Sequence, residues 1–153
     1  MAVLIRRATL QDRKLWAAMR FELWPEAGLA EHFKDLPKWA RRRRFGAWIA
    51  LDKALPVGFV EAYVRDFANG CEGQPVAFLE GIWVQKAYRR KGIGKRLLRR
   101  VEQWALDQGL AELGSDAYAG DKLSHRSHRG WGFKETERVV YFRKSLAAPK
   151  RSR

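Results

Sequence analysis

The period of apolar and polar positions changes several times along the chain, and each change marks an element. Val3 to Arg7 alternates and reads as a first strand. Thr9 is placed to cap a helix, with Asp12 three residues on, and Leu15, Trp16, Met19, Phe21 and Leu23 then carry an apolar stripe to Trp24, where Pro25 stops it. Residues 26–44 are predicted helical, with an interruption at Pro37. The period then falls to two. Residues 47–51 and 57–64 are β-rich runs joined by a hairpin over Asp-Lys-Ala-Leu-Pro, and Asn69-Gly70 opens a loop that lasts to Pro75. Residues 76–84 form a longer apolar strand. Ile93, Leu97, Leu98, Val101, Trp104 and Ala105 restore helical spacing, closed by Gly109. A short strand over 110–115, a short helix over 121–129 and a last strand over 133–142 complete the series. The order β-α-α-β-β-β-α-β-α-β predicts an α+β domain over residues 1–146, with one mixed, mostly antiparallel sheet flanked by helices. Residues 147–153 read as a frayed basic tail.

Composition narrows this picture without changing it. A chain of 153 residues with 46% apolar content suits one domain with one core. The single cysteine, Cys71, excludes an internal disulfide and fits a reducing, cytoplasmic setting. No stretch approaches the roughly 18 to 20 apolar residues of a membrane span, and the N-terminus lacks a signal peptide's apolar core. The net charge of +14 draws anions: nucleic acid, anionic lipid or a phosphorylated cofactor. No helix-turn-helix, metal-ligand spacing or RNA-binding aromatic pattern accompanies it, and most aromatics fall on core periods. A nucleic-acid module and a metal centre are therefore not expected.

Candidate chemistry concentrates at one turn. Arg89-Arg90-Lys91-Gly92-Ile93-Gly94 stands between an apolar strand and a helix, where glycine backbone N–H groups and the helix N-terminus together attract a phosphate. The dinucleotide pattern GxGxxG with a distant acid is absent, as is the phosphate-loop signature. Upstream, Glu80 interrupts an apolar strand, where an unpaired carboxylate is costly to bury. Asp116 ends the next strand, where it serves either a binding site or the cap of the following helix. Cys71 has no His–acid partner and is assigned no nucleophilic role.

Strand, Arg89-x-x-Gly92-x-Gly94, helix, strand, helix, strand resembles the plan of the GNAT superfamily of N-acetyltransferases. Leu23-Trp24-Pro25, Asn69-Gly70-Cys71, the block Phe78-Leu79-Glu80-Gly81-Ile82-Trp83-Val84, Ser115-Asp116 and the run from Gly132 to Val140 resemble, within it, the aminoglycoside 6′-N-acetyltransferases of the dimeric branch. The resemblance covers roughly residues 3–145. It implies acetyl transfer from acetyl-CoA to an aminoglycoside 6′-amine by direct transfer in a ternary complex, conferring resistance, or the same chemistry on another amine. It places the pantetheine beside the strand at Ile82, Trp83 and Val84. The pyrophosphate falls over Arg90, Lys91, Gly92, Gly94 and Lys95, with Arg89, Arg96 and Lys122 near the ribose phosphate. Glu80 is then the base, directly or through water. His128, four residues before Gly132-Phe133 where the superfamily often has Tyr, is the candidate acid, with Tyr141 the other. Asp116, Glu137 and Glu72 would hold a cationic sugar, with Trp24 and Phe67 as an apolar wall. A homodimer is implied as well. The chain departs from the pattern after Asp116, where Ala117 to Asp121 replaces Thr-Ser-Pro-Glu-Asn and Asp121 takes the place of an Asn expected to meet the pantetheine or substrate.

Overall fold

A computed structural model describes residues 2–147; the proposed tail beyond Ala147 lies outside the described residues. Five strands form one sheet in the order β1 (Val3–Arg7), β2 (Phe45–Asp52), β3 (Leu55–Arg65), β4 (Val76–Val84), β5 (Leu113–Gly114). Neighbours run antiparallel except β4 and β5, which are parallel and paired only at Ala77↔Leu113 and Phe78↔Gly114. Four helices cover the sheet: α1 (Arg13–Leu23), α2 (Leu29–Ala40), α3 (Ile93–Asp107) and α4 (Lys122–Gly130). No helix among the described residues is long and apolar enough to cross a membrane.

The near-continuous apolar character of β2 follows from burial on both faces. Trp48 and Ala50 join Val3, Ile5 and the α3 stripe of Ile93, Leu97, Leu98 and Val101 in one cluster. Ala47, Ile49 and Leu51 face the other way, onto Trp16 and Met19 of α1 and Leu36 of α2. The entry to α1 is fixed by Asp12, whose carboxylate accepts the N–H and hydroxyl of Thr9 and both ends of the Arg6 guanidinium.

Three expectations are corrected. Pro37 does not interrupt α2, which continues to Ala40. A proline at 37 cannot donate to the carbonyl of Phe33, but Arg13 Nε donates to that oxygen at 2.6 Å, so no acceptor is orphaned. The strand expected over 110–115 shrinks to two residues, because β5 leaves β4 after Gly114. The last strand, 133–142, does not form. Phe133 packs against the core, but the segment pairs with no strand among the described residues, and Val140, Tyr141 and Phe142 stand in solvent, the last 93% exposed.

The sheet contains the feature that positions the site. In the β3–β4 register Glu61 is opposite Gly81 and Ala62 is opposite Leu79, so Glu80 is an extra residue in β4. Such a bulge bends the strand and re-aims a side chain.

Candidate active site

Beyond Phe78 on β4 and Gly114 on β5 the two parallel strands separate, leaving a fork with Leu79 on one prong and Ser115 on the other. Ile82, Trp83 and Val84 lie on the β4 prong, half-buried, with β3 on one side and a free edge on the other. Free N–H and C=O groups on a strand edge accept an extended ligand as an added strand. At the far end of the prong Arg89 Nε donates to the carbonyl of Val84 at 2.8 Å, tying the basic turn to the strand. Gly92 opens α3 with φ +79°, a left-handed conformation that favours glycine, and a Cβ there would project into open space. Gly94 packs closely for a different reason: a Cβ there would lie 3.1 Å from the Trp131 ring, which would have to shift to admit it.

The turn fits a pyrophosphate. The N–H groups opening α3 have no intrahelical acceptor, Gly92 leaves room beside them, and Arg90, Lys91 and Lys95 are exposed around them. Arg96 is placed elsewhere, donating to the carbonyl of Val3 at 2.8 Å. Lys122 lies on α4 with His125, Arg126 and Arg129 around a shallow basic cavity of about 410 Å³. Asp121, not Asp116, caps α4, accepting the N–H of Ser124 at 2.9 Å.

His128 lies on α4 against Trp131 and Phe133. Its Nδ1 is 2.8 Å from the carbonyl of Ser124, which requires a proton on Nδ1, and its Nε2 is 2.7 Å from the hydroxyl of Ser115. The histidine thus reaches the fork through Ser115, the first residue of the β5 prong past the divergence.

On the α1–α2 face of the same strands lies a cleft of about 550 Å³. Its wall holds Glu80 and Trp24, as the sequence indicated, together with Arg20, His32, Glu61, Tyr63 and Arg65. Trp24 is fixed from three sides. His32 Nε2 donates to its backbone carbonyl at 2.7 Å, its ring lies edge-on to Phe59, and Gly81 leaves the space the indole fills, where any Cβ would collide. Glu80 accepts Arg65 Nε at 2.9 Å and Nη2 at 2.7 Å. That pairing raises the Arg65 pKa above its ordinary value, and the charge of Asp116 adds to the effect. Glu61, 2% exposed, accepts Trp16 Nε1–H at 2.7 Å and lies 3.5 Å from Arg20 Nε. Burial pushes its carboxyl up to about 7, against the opposing pull of Arg20 and Trp16.

The other expected substrate ligands, and the candidate acid Tyr141, do not converge on this cavity. Phe67, Glu72, Asp116, Glu137 and Tyr141 are all exposed, and none lines it. Of these, Asp116 acts on Arg65 through its charge, and Glu72 donates its backbone N–H to Glu112. Glu61, Arg20 and Arg65 were missed. The signal for Glu61 was present, since it interrupts the apolar run Val57 to Val64 as Glu80 interrupts the next strand.

Comparison with known proteins identifies the family. The model of the acetyltransferase (GNAT) family matches residues 13–133. An aminoglycoside N(6′)-acetyltransferase type 1 of Stenotrophomonas maltophilia is 41% identical over 144 residues, 93% of either chain. One from Serratia marcescens is 42% identical over 134 residues, 86% of this chain and 91% of the relative. Among solved structures, the 6′-N-acetyltransferase AAC(6′)-Ih of Acinetobacter baumannii superposes with a TM-score of 0.89 at 35% identity, covering 95% of this chain and 100% of that one. AAC(6′)-Iy in complex with the bisubstrate analog CoA-S-monomethyl-acetylneamine superposes equally well at 33% identity and the same coverage.

Proposed function

The chain belongs to the acetyltransferase (GNAT) family, and we propose that it transfers the acetyl group of acetyl-CoA to the 6′-amine of aminoglycosides, by direct transfer in a ternary complex, and so confers resistance to them. The observation that carries this reading is the fork between β4 and β5, with a glycine-opened helix N-terminus at one end and a cleft holding Glu61 and Glu80 at its side. The edge at Ile82, Trp83 and Val84 pairs with the pantetheine amides, and the turn from Arg89 to Lys95 holds the pyrophosphate. Bound there, acetyl-CoA supplies an activated acyl carbon and a thiolate leaving group.

The chain's own residues do the rest. Glu80, aimed into the cleft by the bulge and held by Arg65, meets the incoming ammonium and orients it. His128, when protonated on both ring nitrogens, passes its Nε2 proton through the Ser115 hydroxyl to the departing thiolate, and Tyr141 is the alternative donor. Trp24 presents an apolar face to a sugar ring. Asp116, Glu137, Glu72 and Phe67 then act from the rim. The acceptor cavity is rich in cations, with Arg20, Arg42 and Arg65 against Glu61 and Glu80. That observation favours a second reading, the same chemistry on a peptide or polyamine amine.

The protein acts in the cytoplasm as a homodimer. The exposed apolar positions of residues 139–146 support a second copy as their cover, since an extended arm with Val140, Tyr141 and Phe142 in water is unfavourable alone. Thiol release measured with kanamycin-type sugars, polyamines and peptides separates the acceptors; turnover of peptides alone would discard the aminoglycoside. In the same assay Glu80→Gln lowers turnover more than cofactor affinity. Gly92→Val abolishes acetyl-CoA binding in calorimetry, and retained affinity would refute the phosphate turn.

A further inference from the structure

Three Arg–carboxylate pairs among the described residues are at least partly buried, and one of them is built differently. Arg6–Asp12 closes with two hydrogen bonds of 2.8 and 2.7 Å, and Arg65–Glu80 with two of 2.9 and 2.7 Å. Arg20–Glu61 does not close. Its nearest approach is 3.5 Å, and Nε and Nη1 of Arg20 are buried with no hydrogen-bond partner among the described residues. It is also the most deeply buried of the three, where an unsatisfied donor costs most. A pair kept for stability alone would close, as the other two do. This one shares the wall of the acceptor cleft with the closed Arg65–Glu80 pair, so the open geometry is particular to Glu61 and Arg20.

We propose that Glu61, held between Trp16 and Arg20, is the group that takes the proton from the acceptor ammonium. The inference rests on the N-acetyl transfer reading above. Glu80 is poorly placed to be the final acceptor, because Arg65 already occupies both of its oxygens. Glu61 has one oxygen engaged by Trp16 and stands opposite Gly81, next to the bulged Glu80, whose charge it feels. One N–H bond of the ammonium breaks with its electron pair left on nitrogen, and an O–H bond forms at Glu61. The neutral nitrogen is the nucleophile, and Glu61 returns the proton to solvent between turnovers. Arg20 stays beside the carboxylate, keeping its charged form accessible despite burial. The other charged or titratable groups on the cleft are His32 of α2, Arg42 beyond it, and Tyr63 and Arg65 of β3.

The test uses the full-length enzyme and two readouts. In the first, kcat/KM for two acceptors whose amines differ in basicity is followed from pH 5 to 9. Wild type shows one inflection near 7 common to both acceptors. Glu61→Gln lowers kcat on the order of 10²-fold, within the range for a general base, and removes that inflection. Glu80→Gln lowers kcat but keeps it. Arg20→Gln moves it to higher pH, which a merely structural role would not do. In the second, the carboxyl carbon resonances of ¹³C-labelled protein without ligand are titrated. One Glu resonance with a midpoint near 7 is expected in wild type and absent in Glu61→Gln, provided acetyl-CoA affinity shows that variant folded. Wild-type kcat in Glu61→Gln, or an inflection that survives there and vanishes in Glu80→Gln, overturns the proposal. If aminoglycosides do not turn over, the same profiles are taken with a polyamine acceptor, so failure of the substrate reading and failure of this proposal register separately.

Discussion

A single side chain, Glu61, shows how the site is bought with stability. Its carboxyl titrates near 7 in the folded protein against about 4.5 in an unfolded chain, chiefly because burial penalises the charge. Between those values the native state keeps a proton that the unfolded state has released. The stabilisation conferred by the protonated form is therefore complete below about pH 4.5 and lost as pH climbs through 7. Glu61→Gln has nothing to titrate there and still offers an oxygen to Trp16. Its stability relative to wild type should rise between pH 4.5 and 7 and then level off, by up to about 3 kcal/mol. Urea unfolding of both proteins at pH 5, 6, 7 and 8 measures this. A difference that stays constant across the series would mean that Glu61 is ionised at every pH tested, and the charge would then be held by Arg20 more firmly than a 3.5 Å approach suggests.

At the scale of elements, α2 depends on a residue that is not part of it. Pro37 frees the carbonyl of Phe33, and Arg13 at the start of α1 both donates to that oxygen and lies 3.8 Å above the Phe33 ring. Arg13→Met keeps much of the contact with the ring but leaves the oxygen unsatisfied. The expected loss is about 1–2 kcal/mol, seen as a melting temperature lower by roughly 2–8 °C, and an unchanged melting temperature would show that water replaces the guanidinium. This case also marks how far sequence reading reaches. The periods of β1 to β4, α1 and α3 are legible because each buries its own apolar set, and the glycine turn is legible because Gly92 must adopt a positive φ. The continuity of α2 is not legible, since the group that permits it lies 20 residues upstream of Phe33. The strand expected over 133–142 alternates correctly, yet alternation specifies a face to be covered and says nothing of whether the cover lies in the same chain. The cleft draws residues from α1, α2, β3 and β4, so only the fold gathers them. Glu80 was found by its oddity in an apolar strand; applying that criterion to the preceding strand finds Glu61.

At the scale of the whole molecule, the net charge of +14 opposes the substrate that the family resemblance supplies. Aminoglycosides are polycations, and the arginines on the cleft wall reinforce the repulsion at close range. Acetyl-CoA is an anion, and a basic surface attracts it. The two substrates should therefore answer oppositely to salt. Raising ionic strength from 10 to 150 mM shortens the screening length from about 30 Å to about 8 Å, which removes most of the long-range repulsion of the sugar while weakening the attraction of the cofactor. We expect kcat/KM for a kanamycin-type acceptor to rise several-fold across that range at saturating acetyl-CoA, and the KM for acetyl-CoA to rise as well. Steady-state rates in potassium chloride, with each substrate varied in turn, check both. If kcat/KM for the sugar falls instead, the acceptor meets a negative local field. That field would have to come from acids outside the cleft wall, for which the exposed Asp116, Glu72 and Glu137 are the candidates.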